Sequence, residues 1–182
     1  MTESDNYLAN LVGTLGLAIA DRQRAACEAV LNLGPAAPAA LVAIAQYSGE
    51  TVGFFEPILG LTSSGTVRLF DRLVGAGLIT RRPGEDRRTV SVALTAQGRR
   101  RAVAINDARL ATVNEILDSL TAAQRRELIP LVKAPLASLT DSRSTARRMC
   151  RLCDHARCDD MDRCPVDHAA TAQGDPRYRD LS

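Results

Sequence analysis

Apolar residues recur at three- and four-residue intervals over most of the chain, and the pattern breaks once in the middle and again near the end. From Asn6 to Leu33, Leu8, Leu11, Val12, Leu15 and Ile19 predict a long amphipathic helix that Leu33-Gly34-Pro35 ends. Pro38 can open a second helix through ALVAIAQY, and Thr51 can cap a short third one, VGFFEPILG. Pro57 lies inside that third segment, so the element is either short and late or bent. Thr62 and Ser63 then cap a helix whose inner side is Thr66, Leu69, Phe70, Leu73 and Val74.

Gly75 and Gly77 end this helix, and the period changes. Leu78, Ile79 and Thr80 suit a strand, the stretch from Arg81 to Arg88 reads as a charged Pro-Gly turn, and Val90, Val92 and Leu94 alternate as a returning strand. Thr95 caps a further helix towards Leu120, with Val103, Leu110, Val113, Leu117 and Leu120 in one seam that also includes Asn106. Thr121 and Gln124 form a capping box for a last helix through Leu128, Leu131 and Val132, which Pro130 and Pro135 are expected to kink or shorten.

Charge sharpens the picture of the middle segment. Nine arginines between Arg68 and Arg101 face three acids, although the whole chain carries only +2. The outer side of the Thr62-capped helix holds Ser64, Gly65, Arg68, Asp71 and Arg72, and the hairpin tip holds Arg87 and Arg88. A concentrated positive patch on a helix and hairpin is the electrostatic footprint of a nucleic-acid binder; the plainer reading is a solvated, charged hairpin.

The run RRPGEDRRTVSVALTAQG resembles the wing signature of the MarR family of winged helix-turn-helix regulators, through Asp86, Arg88, Leu94, Thr95 and Gly98. Upstream, RLFDRLVGAGLITR is similar to the end of that family's recognition helix, through Arg68, Asp71, Arg72, Leu73, Gly77, Leu78 and Arg81. The likeness runs from about Asn6 to Leu139. It implies a mainly α fold with a small β-hairpin wing: a winged helix-turn-helix plus a helical dimerisation domain. The implied organisation is a dimerisation helix at 1–34, a DNA-binding domain at 35–98, dimerisation helices at 99–140 and a cysteine-rich tail at 141–182.

On this resemblance the chain is expected to be a homodimer on double-stranded DNA with a pseudo-palindromic site. Ser63, Ser64, Gly65, Val67 and Arg68 would lie at the groove, Arg68 reading guanine and Arg72 contacting phosphate, with Arg87 and Arg88 of the wing tip in the minor groove and Asp86 orienting the wing. The implied function is a transcriptional repressor that a small-molecule effector, metal or oxidant releases. The competing reading is a metal- or redox-sensing protein-interaction module that keeps the fold and does not bind DNA.

Composition removes other classes. No run of eighteen apolar residues suggests a membrane span, and the polar start MTESDNY lacks a secretory pattern, so a cytoplasmic protein is expected. No phosphate-binding glycine loop or Ser-His-Asp arrangement is present, which argues against an enzyme.

The remaining chemistry is sulfur. Cys27 lies in the first helix, where peroxide-sensing members of the family carry a cysteine; a small buried hydrophobe is the competing reading. After Leu139 the chain turns polar, and Met149, Leu152, Met161, Val166 and Leu181 are too few to predict a core. Cys150, Cys153, Cys158 and Cys164 stand there, separated by two, four and five residues, with His155 and His168 beside them. Four such thiolates can wrap one tetrahedral zinc, with His155 as a substitute ligand and His168 at the surface. An iron-sulfur cluster is the alternative, favoured by the Cys164-Pro165 ending, and unmetallated redox thiols are a third. Ordering the stretch costs about as much as zinc contributes, so the tail is expected to dock on the dimerisation helices through Met149 and Leu152.

Overall fold

A computed structural model describes residues 2–83, 89–155 and 164–174 of the chain. Helix α1 (Glu3–Leu31) begins at a capping box between Thr2 and Asp5 and ends at Asn32, which is in the left-handed region. Of its 29 residues only Cys27 is buried. Helix α2 (Ala37–Gln46), with Pro38 in its first turn, is buried along almost its whole length. It forms the floor of the core with Phe55, Ile58, Leu69, Phe70, Leu73, Ile79, Val92 and Ile105.

A 3-10 turn (Val52–Phe54) leads into the short helix α3 (Phe55–Leu59). Pro57 therefore sits in a first turn, where no intrahelical N–H donor is required, and the element is short and late rather than bent. Gly60 takes φ 65° and turns the chain into α4 (Ser63–Gly75), whose N-cap Thr62 accepts from the Gly65 amide. Thr66, Leu69, Phe70 and Leu73 are buried as expected, whereas Val74 is 39% exposed near the helix end.

Ala76 and left-handed Gly77 end α4, and the chain enters β1 (Ile79–Pro83), which pairs antiparallel with β2 (Val90–Leu94), Ile79 opposite Leu94 and Pro83 opposite Val90. Arg81, Arg82 and Pro83 thus extend the strand instead of opening the turn. Gly49, Glu50 and Thr51 add a third short edge: Gly49 donates to the Val92 carbonyl, the Val92 amide donates to Glu50, and Thr51 bridges to Ser91.

Helix α5 (Ala96–Leu117) packs along α1 and α2. Helix α6 (Ala122–Ser138) starts at the Thr121–Gln124 capping box. Pro130 and Pro135 lie inside it, and of the expected kink or shortening the shortening does not occur: the helix runs past both to Ser138. Each removes one backbone donor, but the carbonyl-to-amide ladder around both continues to Leu139.

The tail differs most from expectation. Helix α7 (Arg143–Met149) and helix α8 (Pro165–Ala172) pack together around Ala146, Val166 and Ala170, with Leu136, Met149, Cys150 and Cys164 at the rim. Small alanines build this second core, which a count of large apolar residues overlooks. Arg143 and Asp167 close it with a 2.5 Å ion pair, both side chains only 13% exposed.

Candidate nucleic-acid interface

Helix α4 presents two different sides. Its inner side is fixed by Thr66, fully buried and donating to the Thr62 carbonyl, and by Leu69, Phe70 and Leu73. Its outer side leaves Ser63, Ser64, Val67, Arg68, Asp71 and Arg72 exposed, with Gly65 half-buried beside the cap. Ser63 is partly committed, since its hydroxyl donates to Glu56 of α3 at 2.8 Å. That bond ties the first helix of the pair to the start of the second.

The wing is locked to α4 by a set of bonds that gives the Leu-Thr-x-x-Gly pattern a physical meaning. The Thr95 hydroxyl donates to the Gly77 carbonyl at 2.7 Å and accepts from the Gly98 amide at 3.0 Å, and the Thr95 amide donates to Leu78. A Cβ at Gly98 would overlap the Leu78 carbonyl oxygen, so only glycine allows α5 to start this close to β1. Leu94 and Val92 point into the core, which sets which strand face carries the wing's charges outward.

The structure also sorts the arginines. Arg81 pairs with Asp71 at 2.8 Å, Arg99 donates to the Leu94 carbonyl and Arg101 to the Val30 carbonyl. These three hold the scaffold, and the sequence count alone does not separate them from Arg68 and Arg72. Asp86, Arg87 and Arg88 of the expected wing tip lie outside the described residues. An open depression lined by Gln97, Arg100, Arg101 and Ala104 lies beside this region on α5.

Behind the helix pair sits the tail. The Arg147 guanidinium lies 4.8 Å from the Phe54 ring centroid and 5.8 Å from that of Tyr47. The Arg148 guanidinium rests on Gly60, where any Cβ would collide with it. Gln46 of α2 donates to the Cys153 carbonyl at 2.6 Å and reaches that of Cys150 at 3.5 Å. Leu152 packs into the main core, while Met149 packs near Leu136 of α6 and accepts from Thr140. Of the two expected docking residues, Met149 borders the small tail core together with Leu136 of α6, and Leu152 packs against the main core.

Cys150 and Cys153 are close neighbours. The Cys150 thiol donates to the Cys153 sulfur, and this bond, assisted by Arg109 and Arg151 and opposed by burial, lowers the Cys153 thiol to about 6. Cys164 stands at the N-cap of α8, and Cys158 lies outside the described residues. His155 meets Tyr47 edge to face, and His168 lies within α8. Among the described residues, no three potential ligands are already gathered at one point. Cys27 is 2% exposed, directs its thiol at the Ile105 carbonyl and is pushed up by burial, with Arg109 acting in the opposite sense.

A buried helix pair, an outward-facing second helix and a β-hairpin wing define a winged helix-turn-helix regulator scaffold. Solved structures place it more narrowly. RV1404 from Mycobacterium tuberculosis shares 26% identity over 74% of this chain and 93% of its own, with a TM-score of 0.64. The M. tuberculosis MarR family protein RV2887, in complex with p-aminosalicylic acid, shares 24% identity over 70% of this chain and 96% of its own, with a TM-score of 0.55. A mutant of S. aureus MepR bound to an oligodeoxyribonucleotide shares 18% identity over 72% of this chain and 97% of its own, with a TM-score of 0.56. No protein-family model and no curated protein matches the chain. The fold is that of the MarR family of transcriptional regulators. Among the described residues, no helix is long and apolar enough to cross a membrane.

Proposed function

We propose that the chain is a homodimeric, sequence-specific DNA-binding transcriptional regulator that acts as a repressor and is released by a ligand or oxidant. The observation that carries this reading is the outward face of α4, where Ser64, Val67, Arg68 and Arg72 are exposed above a buried side locked by Thr66 and Leu69. Side chains near a helix N-terminus meet base edges in the major groove, and Arg68 suits bidentate guanine contact. MepR, with the same fold, is bound to an oligodeoxyribonucleotide, and RV2887 is in complex with a small acid.

Dimerisation is supported by apolar surface that a single chain leaves in water. Leu8, Leu11, Val12 and Leu15 of α1 are 48 to 61% exposed, and Ile129, Leu131 and Val132 of α6 add to them. A second copy would cover these stripes and set two recognition helices about one helical turn apart on a pseudo-palindromic site.

The test is duplex binding over a range of salt concentrations, using DNA flanking the chain's own gene. A repressor of this design loses affinity steeply as salt rises, because several neutralised phosphates release counterions. Absence of duplex binding at low salt would favour the interaction-module reading instead.

A further inference from the structure

The chain leaves α7 through Cys150 and turns back at once. The Cys153 amide donates to the Cys150 carbonyl at 2.9 Å, which closes a β-turn over Cys150, Arg151, Leu152 and Cys153. A β-turn keeps its first and last Cα atoms within about 7 Å, the reach that a disulfide spans. The two sulfurs are already in hydrogen-bond contact, the Cys150 thiol donating and the Cys153 sulfur accepting. Among the described residues no third ligand joins them to make a metal site, so the chemistry this turn is arranged for lies between the two sulfurs.

The turn is also held from outside. Gln46 of α2 donates to the Cys153 carbonyl at 2.6 Å and reaches that of Cys150 at 3.5 Å, and Leu152, between the cysteines, packs against the main core. The helix pair and its core therefore help to fix where the sulfurs stand. Arg109 of α5 and Arg151 favour negative charge on Cys153, against Asp154 and the cost of burial. Both cysteines are half-buried, which admits a small oxidant and hinders a bulky one. Cys27 is the contrast: it is buried in the main core with its thiol directed at the Ile105 carbonyl.

We propose that Cys150 and Cys153 form a reversible dithiol–disulfide site oxidised by hydrogen peroxide, with Cys153 as the attacking sulfur and Cys150 as the resolving one. The Cys153 thiolate attacks one peroxide oxygen, the O–O bond breaks, and a sulfenic acid forms on Cys153. The departing hydroxide takes the Cys150 thiol proton and leaves as water. The Cys150 thiolate then attacks the sulfenic sulfur, the S–S bond forms, and a second hydroxide leaves, protonated by solvent. The two thiols lose two electrons, and one hydrogen peroxide is reduced to two waters. A dithiol reductant reverses the bond by thiol–disulfide exchange.

Oxidation removes the hydrogen bond between the two sulfurs and ties both into one ring with the turn. Gln46 grips the carbonyls of both cysteines, so a change in the turn is delivered to α2. Arg147 and Arg148, just before the turn, lie on Phe54 and on the Gly60 turn between α3 and α4. An oxidant acting at Cys153 is thereby connected to the element that aims α4. The dithiol site stands on the turn and its sulfurs alone, and only its effect on DNA affinity rests on the proposed regulatory function.

The experiment uses the full chain, reduced, freed of reductant and treated with an equimolar amount of hydrogen peroxide. Titrated under denaturant, wild type should lose two of its five thiols. Trypsin separates the two cysteines by cutting after Arg148, Arg151 and Arg157, so the expected disulfide joins peptides 149–151 and 152–157. A dithiol reductant should part them and restore both thiols. In Cys150→Ser the reaction should stop at a sulfenic acid on Cys153 that dimedone traps, and in Cys153→Ser Cys150 should stay reduced. Because either variant could disturb the turn, the peptide map of wild type decides. A bond from Cys150 or Cys153 to Cys158 or Cys164, a sulfenic acid persisting on wild-type Cys153, or no loss of thiols would each overturn the proposal. Duplex binding tests the two readings apart: the oxidised chain should bind DNA more weakly and recover on reduction. The mapped disulfide in a protein that binds no duplex in either state would leave the dithiol site standing and remove the regulatory reading.

Discussion

Arg81 of the first wing strand reaches back to Asp71 of α4, with 2.8 Å between guanidinium and carboxylate. The pair joins the two elements expected to meet DNA. Both side chains are open to water, at 36% and 54% exposure, so solvent screening limits its worth. A double-mutant cycle of Asp71→Ala and Arg81→Ala in urea unfolding should give a coupling of about 0.2 to 1 kcal/mol. A coupling well above that range would show that the pair does more than set the wing's direction.

Gly98→Ala should be far more damaging than its single methyl suggests. The new Cβ has nowhere to go except into the Leu78 carbonyl, which belongs to the backbone and cannot swing aside. Overpacking of this kind costs about 1 to 3 kcal/mol, read as a lower urea midpoint at constant slope. An unchanged midpoint would mean that α5 and β1 are not held this closely.

Arg68→Ala and Arg72→Ala should separate base reading from phosphate contact. For Arg68, the loss should be about 1 to 3 kcal/mol on the preferred duplex and much smaller on unrelated sequence. For Arg72, affinity should fall evenly across sequences, with the salt slope reduced by about 1. Equal losses on all duplexes for both variants would deny Arg68 its reading role.

Asp167→Ala removes the partner of a cation that is only 13% exposed. Breaking such a pair costs on the order of 3 kcal/mol. Trypsin should then cut after the arginines of α7 sooner than it cuts the rest of the chain. Wild-type cleavage rates would show that the alanine core alone holds the hairpin.

Cys27 gives a pH dependence of definite sign. Burial raises its folded pKa above that of a free thiol, about 8.5. Below that value both folded and unfolded states keep the proton, and the contribution to stability is complete. As pH rises past it, the unfolded state ionises while the folded state resists, so stability falls. Cys27→Ala should flatten this alkaline decline in urea midpoints measured from about pH 7 to pH 10. A decline as steep as wild type would assign it to other groups.

Much of the reading unit was legible from local patterns. Thr62, Thr95 and Thr121 cap the helices they were expected to cap, and Pro57 could be reconciled with a short helix because first turns do not need its missing donor. The prolines of α6 misled for the opposite reason: Pro130 and Pro135 lie within the helix, yet the surrounding ladder carries it through. The tail was hidden because its packing uses Ala146 and Ala170, residues too small to register as a core, together with an ion pair 24 positions apart. The arginine cluster showed where positive charge gathers, but only the fold separates Arg81, Arg99 and Arg101, tied to carboxylate or carbonyl groups, from Arg68 and Arg72.

The bond from Gln46 to the Cys153 carbonyl spans 107 positions of sequence. During synthesis the helix pair is therefore complete long before its brace emerges from the ribosome, and domains generally begin to fold as soon as they are made. A newborn chain halted after α6 would carry the whole exposed face of α4 with nothing resting on the Gly60 turn. Gln46, Tyr47, Phe54 and Gly60 would meanwhile present a bare seat until α7 and the turn after it are made.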